Sequence, residues 1–161
     1  MSPLKRITQA LCITLFALFA VQVFAQEQRP GYGPSINAAA AKKIAAGTLA
    51  ECAANKWNVA VAVVDTAGNL VYFERMEDTQ TASFDIAIGK ARTAATYRRT
   101  TRVFQDVINK APAVATLPGV VASPGGVPLY VDGKVIGAVG VSGVTGDQDE
   151  QCAKAGIAAG M

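Results

Sequence analysis

The sequence predicts a single α+β domain in which helices cover an antiparallel sheet. Two pairs of β-forming segments are each joined by a short turn, and short turns force antiparallel pairing. Alanine-rich or amphipathic segments that favour helices precede, separate and follow these pairs. The 161 residues are 51% hydrophobic and 17% charged, which is typical of one globular domain. We therefore expect the order α-β-β-α-α-loop-β-β-α.

Residues 1–25 have the pattern of a secretory signal peptide. Lys5 and Arg6 precede an apolar run that ends in VFA. An uncleaved membrane anchor is the alternative, but polar residues break the run, which barely reaches the roughly 20 residues of a membrane span. Cleavage after Ala25 predicts an exported, periplasmic or extracellular protein without stable membrane insertion. Removing Lys5 and Arg6 from 15 basic residues leaves 13 against 12 acidic ones, which does not favour nucleic acid as a partner.

The first elements of the mature chain follow a short polar segment. Residues 26–34 are rich in glycine and proline, so we expect a flexible lead-in to one domain over residues 35–161. Residues 35–56 are alanine-rich and free of proline, which predicts a helix. Residues 58–64 and 70–73 flank the turn-forming sequence DTAGN, and this arrangement predicts the first hairpin.

The second half of the chain again contains helices and a hairpin. Residues 83–98 and 101–109 predict two helices. The proline-containing stretch 111–126 lacks clear periodicity, so we expect a long loop with a functional or oligomer-contact role. The second hairpin has Asp-Gly as its two-residue turn. The sequence TGDQ at 145–148 resembles a capping box, which predicts a last helix over residues 147–159.

Cys52 and Cys152 are the cysteines that remain after removal of the leader. In an exported protein two cysteines predict a disulfide, here closing a loop of about 100 residues and contributing about 3–5 kcal/mol. Two separate buried thiols are the alternative, since bonding requires Cα atoms within about 7 Å of each other.

The last predicted strand is rich in glycine. Gly137, Gly140 and Gly143 recur every three residues and therefore remove side chains from both faces of the strand. Close packing of small-residue helices is one explanation, and the approach of a flat ligand or a neighbouring subunit is the other. The spacing and the position within a hairpin exclude a dinucleotide-binding glycine loop.

The predicted helix over 83–98 carries candidate binding side chains. Winding at 100° per residue places Phe84 on the core stripe and gathers Lys90, Thr93 and Tyr97 on another strip. That strip suits a ligand wall or a subunit interface, although an amphipathic surface explains it as well. Five neighbouring cations could bind carboxylates or phosphates, or form a solvated face. They are Lys90, Arg92, Arg98, Arg99 and Arg102.

The residue types limit the chemistry. Because the chain has no histidine, a Ser-His-Asp triad, an imidazole base and a histidine-ligated metal are excluded. Two groups of carboxylates could bind a hard cation weakly, but a loop and a helix N-terminus explain them more readily. These groups are Glu74, Glu77 and Asp78, and Asp147, Asp149 and Glu150.

Four motifs follow one another between about residues 35 and 159. They are VAVVDTAGNLVYFERM, GKARTAATYRRTT, PGGVPLYVDGKVIGAVGVSG and DQDEQCAKAG. Together they resemble the GlcG/HbpS-like haem-binding family, which includes the C-terminal domain of PduO-type cobalamin adenosyltransferases. The resemblance implies a profilin-like α/β/α sandwich on an antiparallel sheet of about five strands, of which the fifth would come from the long loop. It also implies a homo-oligomer, either a dimer or an octamer, with haem as the candidate cofactor.

The resemblance also indicates site residues. In one branch of the family a threonine is the axial haem ligand, so Thr101 is the candidate iron ligand and Thr93 the second choice. Another branch uses histidine, which this chain lacks, and then Tyr97, Tyr130 or Met76 would have to supply the oxygen or sulfur. The expected ligand-binding residues are Lys90, Thr93, Tyr97, Arg98, Arg99, Thr101, Gly137, Gly140 and Ser142.

Two functions follow from these expectations. The first is an exported haem-binding protein with slow oxidative haem degradation, in which the basic cluster pairs with the propionates and the glycine-rich strand receives the porphyrin face. The alternative is a non-enzymatic oligomeric accessory protein that binds a small anionic metabolite.

Overall fold

The computed structural model describes residues 29–161 and confirms an α+β sandwich in the expected order. The signal-peptide prediction lies outside the described residues. The elements are α1 (Ala38–Ala54), β1 (Ala60–Val64), β2 (Leu70–Arg75), α2 (Ser83–Tyr97), α3 (Thr101–Ile108), a 3-10 helix (Pro112–Thr116), β3 (Gly126–Val131), β4 (Lys134–Ser142) and α4 (Gly146–Gly160). Within residues 29–161 no helix is long and apolar enough to cross a membrane.

The sheet has four strands in the order β2-β1-β4-β3, and all neighbours are antiparallel. The expectation of about five strands is therefore corrected to four. The long loop that would have supplied the fifth strand instead contains the 3-10 helix. Pro112 and Pro118 lack the backbone N–H that a strand needs for its ladder, which disfavours a strand in this loop.

The two faces of the sheet differ in side-chain size. On one face Val61 and Val63 of β1 pack with Ile44 of α1 in a core that also includes α4. On the other face Ala60 and Ala62 pack against the alanines of α2. Because small side chains line that second contact, α2 lies close to the sheet.

A disulfide joins the two helices of the larger core. Cys52 of α1 and Cys152 of α4 are bonded, with their Cα atoms 5.7 Å apart and a sequence separation of 100. Both residues are fully buried. The predicted pairing is confirmed over the alternative of separate thiols.

The turns and caps follow their sequence signals. Asp132 and Gly133 have positive φ angles of 50° and 71°, as a two-residue hairpin turn requires. Thr145 and Gln148 form the predicted capping box at the start of α4. The second hairpin and the last helix are thus confirmed.

Residues 29–33, here called the N-terminal arm, lie against the domain. The Gly33 amide donates a hydrogen bond to the Val135 carbonyl at 2.8 Å, and the Val135 amide donates to the Gly31 carbonyl at 2.9 Å. The pairing of β1 with β4 ends where Val64 meets Ala138, and the arm bridges to β4 beyond that point. This part of the expected lead-in thus satisfies backbone groups of β4, and the flexibility of residues 26–34 stays a prediction.

Candidate functional site

A surface groove lies where the arm, the end of α2, α3 and β3 come together. It consists of two pockets of about 250 and 360 Å³, which share Arg29, Arg99 and Val103. The other lining residues are Pro30, Tyr97, Arg98, Thr100, Phe104, Val107, Val114, Leu117 and Tyr130. The groove combines an apolar wall with guanidinium groups, so it suits a ligand that is apolar over most of its surface and anionic at one edge.

The apolar wall is built on α3. Phe104 is buried and packs edge to face on Tyr97 at a ring distance of 5.2 Å. Val103 on the same helix is 36% exposed, and Leu117 in the loop beyond is 41% exposed. Val107, one turn after Val103, lines the same pocket. These side chains leave an apolar surface facing solvent, and contiguous surfaces of this kind mark binding sites.

The cationic end of the groove begins where α2 ends. Arg98 adopts a left-handed conformation with φ of 56° and terminates the helix. Its Nη1 donates to the Pro30 carbonyl at 2.9 Å, while its Nε is buried without a hydrogen-bond partner among the described residues. Arg99 follows and is half-buried. A carboxylate in the pocket would supply an acceptor for these guanidinium groups.

Two tyrosines place oxygen atoms at the groove. The Tyr97 hydroxyl donates to the Pro118 carbonyl at 2.8 Å, which ties α2 to the long loop. Tyr130 of β3 is 43% exposed and lines the smaller pocket. Partial burial raises the pKa of the Tyr130 phenol above its ordinary value, so that the free protein holds it protonated.

Lys90 belongs to the core and does not reach the groove. Its side chain is 2% exposed, and its ammonium group lies 2.7 Å from a carboxylate oxygen of Asp149 and donates to the Val141 carbonyl at 3.0 Å. Burial lowers the pKa of Lys90 and raises that of Asp149, and each partner opposes the shift of the other. Asp149 satisfies the charge of Lys90 in this conformation, so the structure gives no support to ligand binding by Lys90, which stays a prediction.

The two threonines proposed as iron ligands are structural. Thr101 is fully buried, and its hydroxyl accepts a hydrogen bond from the Gly126 amide at 2.9 Å. Thr93 is also buried, donates to the Gly119 carbonyl and accepts from the Val121 amide. These hydroxyls fasten the long loop and β3 to the helices, and iron ligation by Thr101 or Thr93 stays a prediction that this conformation does not favour.

The glycine-rich strand is covered by the protein itself. A Cβ on Gly140 would collide with the Ala87 carbonyl oxygen of α2, and a Cβ on Gly137 would collide with the Val64 carbonyl. Ser142 is 3% exposed and donates to the Ser83 hydroxyl. At Gly137, Gly140 and Ser142 the structure shows close packing by small-residue elements, and ligand contact at these positions stays a prediction.

Two other cations of the predicted cluster, Arg92 and Arg102, bond to groups outside the groove. Arg92 donates to the Gly68 carbonyl at 3.0 Å. Arg102 bridges Asp147 and Glu150, and Glu150 also pairs with Lys154. Of the five predicted cations, Arg98 and Arg99 line the groove. In the described part of the chain no cluster of three metal-binding side chains occurs.

Most of the apolar wall is not predicted from the sequence. The sequence predicts Tyr97, Arg98, Arg99 and Tyr130 as site residues, but not Arg29, Val103, Phe104, Val107, Val114 and Leu117. The sequence of α3 is strongly amphipathic. Its apolar stripe extends beyond Phe104, the one apolar side chain of this helix that is buried, and this pattern indicates an exposed apolar wall.

Fold and groove together define a small ligand-binding α+β domain. The family model described as "Haem degrading protein HbpS-like" matches residues 36–158, and the chain belongs to this family. It is 46% identical over 103 residues to Protein GlcG of Escherichia coli K12, an alignment that covers 63% of this chain and 77% of that protein. It is 35% identical over 106 residues to corrinoid adenosyltransferase PduO of Salmonella typhimurium, covering 63% of this chain and 32% of the relative.

Solved structures agree with this assignment. A double mutant of HbpS from Streptomyces reticuli superimposes with a TM-score of 0.75 at 31% identity, covering 83% of this chain and 92% of that one. A complex of PduOC with heme superimposes with a TM-score of 0.72 at 27% identity, covering 78% of this chain and 94% of the other. The predicted family and its sandwich fold are confirmed.

Proposed function

We propose that the protein binds haem in the groove. The observation that carries the proposal is the meeting of an exposed apolar wall on α3 with Arg98 and Arg99 at one end. Haem has the matching chemistry, a flat apolar macrocycle with two carboxylates on one edge. The description of the family model and the heme complex of PduOC support the same ligand class.

The residues of the groove fit this ligand. Val103, Val107 and Leu117 would contact the macrocycle, and the two arginines would pair with the propionates. Neither pocket alone is large, but the two adjoin through shared residues. Bound haem would supply a redox-active iron at this site.

Tyrosine is the side chain at the groove that could ligate the iron. Phenolate is an axial haem ligand in some proteins, and Tyr130 and Tyr97 line the two pockets. Tyr130 is the better candidate because the Tyr97 hydroxyl is committed to Pro118. Ligation requires loss of the phenol proton, so the raised pKa of Tyr130 favours weak, reversible binding.

Turnover and export are the finer parts of the proposal. We propose slow oxidative degradation of bound haem with peroxide as the oxidant, which the description of the matching family supports. The apolar run and the Lys5-Arg6 pair support export by a cleaved signal peptide. A disulfide is also typical of an exported protein.

A hemin titration tests the binding proposal. We expect a shifted Soret band that saturates on addition of the protein, and a weaker shift with the double variant R98Q/R99Q. The matched control is R92Q, which removes a guanidinium from α2 outside the groove. Y130F should change the visible spectrum of the bound iron, whereas Y72F should not. A flat titration of the unaltered protein would overturn the proposal.

A small anionic metabolite is the second candidate. The smaller pocket, with Arg29, Arg98 and Arg99 around about 250 Å³, favours a short carboxylic acid. The exposed Phe84, whose ring lies 4.6 Å from that of Phe73 on edge strand β2, favours an oligomeric accessory protein. If light scattering shows that the protein is a monomer, the proposal of an oligomeric accessory protein is wrong. Competition between hemin and a short dicarboxylate would show whether the two ligands share the pocket.

A further inference from the structure

The groove depends on residues that precede the family match. The matching family model begins at residue 36, whereas Arg29 lines both pockets and Pro30 lines the smaller one. The N-terminal arm therefore supplies one wall of the site from outside the part of the chain that the family model covers.

A small set of contacts determines where the arm lies. The Tyr32 hydroxyl donates to the carbonyls of Thr96 at 2.9 Å and Ala95 at 3.3 Å. These carbonyls belong to the last turn of α2 and have no partner within the helix. The Arg98 guanidinium lies 5.0 Å from the centre of the Tyr32 ring and also holds the Pro30 carbonyl. Tyr32 thus positions both the arm and Arg98.

We infer that the arm determines specificity, because Tyr32 holds it where Arg29 joins Arg98 and Arg99 around the smaller pocket. This inference rests on the proposed haem site and names what the arm adds to it. Three guanidinium groups around one pocket favour a ligand with two carboxylates on one edge over the same macrocycle without charge. Arg29 is then a binding residue, and Tyr32 is a positioning residue.

The test compares hemin with its dimethyl ester, which has the same macrocycle and no carboxylates. We expect the unaltered full-length protein to bind the diacid more tightly than the ester in the same detergent. R29Q should weaken diacid binding about tenfold, because one charge-assisted hydrogen bond is lost, and leave ester binding unchanged. R92Q, which removes an arginine outside the groove, should change neither.

Tyr32 is tested by two variants. Y32F keeps the ring under Arg98 and removes the two hydroxyl hydrogen bonds, so it should lose part of the diacid preference. Y32A removes both interactions and should lose as much as R29Q or more. Y72F is the control, because Tyr72 donates to Glu74 on β2 and does not line the groove. If Y32F keeps more of the diacid preference than Y32A, Tyr32 acts by positioning the arm, and the loss in Y32A is not general damage to the fold.

The possible outcomes separate the two proposals. If the unaltered protein binds neither porphyrin, the haem site and the role of the arm are both overturned. If the unaltered protein prefers the diacid and R29Q and Y32A keep that preference, haem binding stands and the inference about the arm is wrong. If the variants weaken both porphyrins equally, the arm supports the fold without selecting the ligand, and the inference is also overturned.

Discussion

Replacing Lys90 by methionine should destabilise the protein far more than removal of a surface lysine. The substitution keeps most of the side-chain volume but leaves the Asp149 carboxylate buried without its cation. Breaking a buried ion pair from one side typically costs about 3–5 kcal/mol. Because small domains are stable by only about 5–15 kcal/mol, this loss should be evident in any unfolding experiment.

Removing both partners should restore much of the stability. The variants K90M and D149L each leave one buried charge, whereas K90M/D149L leaves none. The double variant still deprives the Val141 carbonyl and the Val144 amide of a partner, at about 1 kcal/mol each. We therefore expect its free energy of unfolding to lie within about 2 kcal/mol of the unaltered protein, so that the two single losses are strongly non-additive.

Urea unfolding followed by circular dichroism measures these free energies. K154M is the control, because Lys154 is 63% exposed, pairs with Glu150 one turn away and should cost less than about 0.5 kcal/mol. In K90M the buried Asp149 has a raised folded-state pKa, so the folded state prefers the protonated acid. Stability should then fall as pH rises above the ordinary carboxylate pKa of 3.8, where the unfolded chain ionises before the folded one. A loss below about 1 kcal/mol for K90M, or additive single losses, would refute the reasoning.

Three further outcomes follow from the packing and the charges. Breaking the bond between Cys52 and Cys152 with a reductant should lower the free energy of unfolding by about 3–5 kcal/mol, and unchanged urea midpoints with and without reductant would contradict this. G140A should cost at least about 1–3 kcal/mol because its Cβ would strike the Ala87 carbonyl, and a melting temperature equal to that of the unaltered protein would show that α2 can move away. Burial raises the pKa of Glu150, but hydrogen bonds from Lys154 and Arg102 outweigh it and hold the pKa below the ordinary 4.5. The corresponding stability is present above about pH 4.5 and lost as pH falls through the folded-state pKa, so E150Q should flatten the acid side of the stability profile.

Local signals predicted the architecture well. The Asp132-Gly133 turn, the capping box at Thr145 and the alternation of helices and hairpins all depend on neighbours in sequence. These local signals are sufficient to predict the element order and the antiparallel pairing of the strands. The strand count was too high because the fifth strand was inferred from the resemblance and not from the residues of the loop.

The site was only partly predictable, because it depends on contacts between distant residues. Lys90 was placed on a binding strip, but its partner Asp149 is 59 residues away and no local pattern reveals the pair. Phe84 was expected in the core and is 44% exposed, because the first turn of α2 lies beside edge strand β2, where its ring meets Phe73. Arg29 lines the groove because the N-terminal arm lies against the domain, whereas the glycines and proline of the arm predict a flexible segment.

The length of α3 has a consequence for how a ligand would be held. Helices of eight residues are marginal on their own, and α3 buries Phe104 while Val103 remains exposed. A ligand on that exposed stripe would complete the hydrophobic contacts that the helix lacks. Occupancy and local ordering are then coupled, so amide hydrogen exchange over residues 101–108 should be fast in the empty protein and slow when the groove is filled.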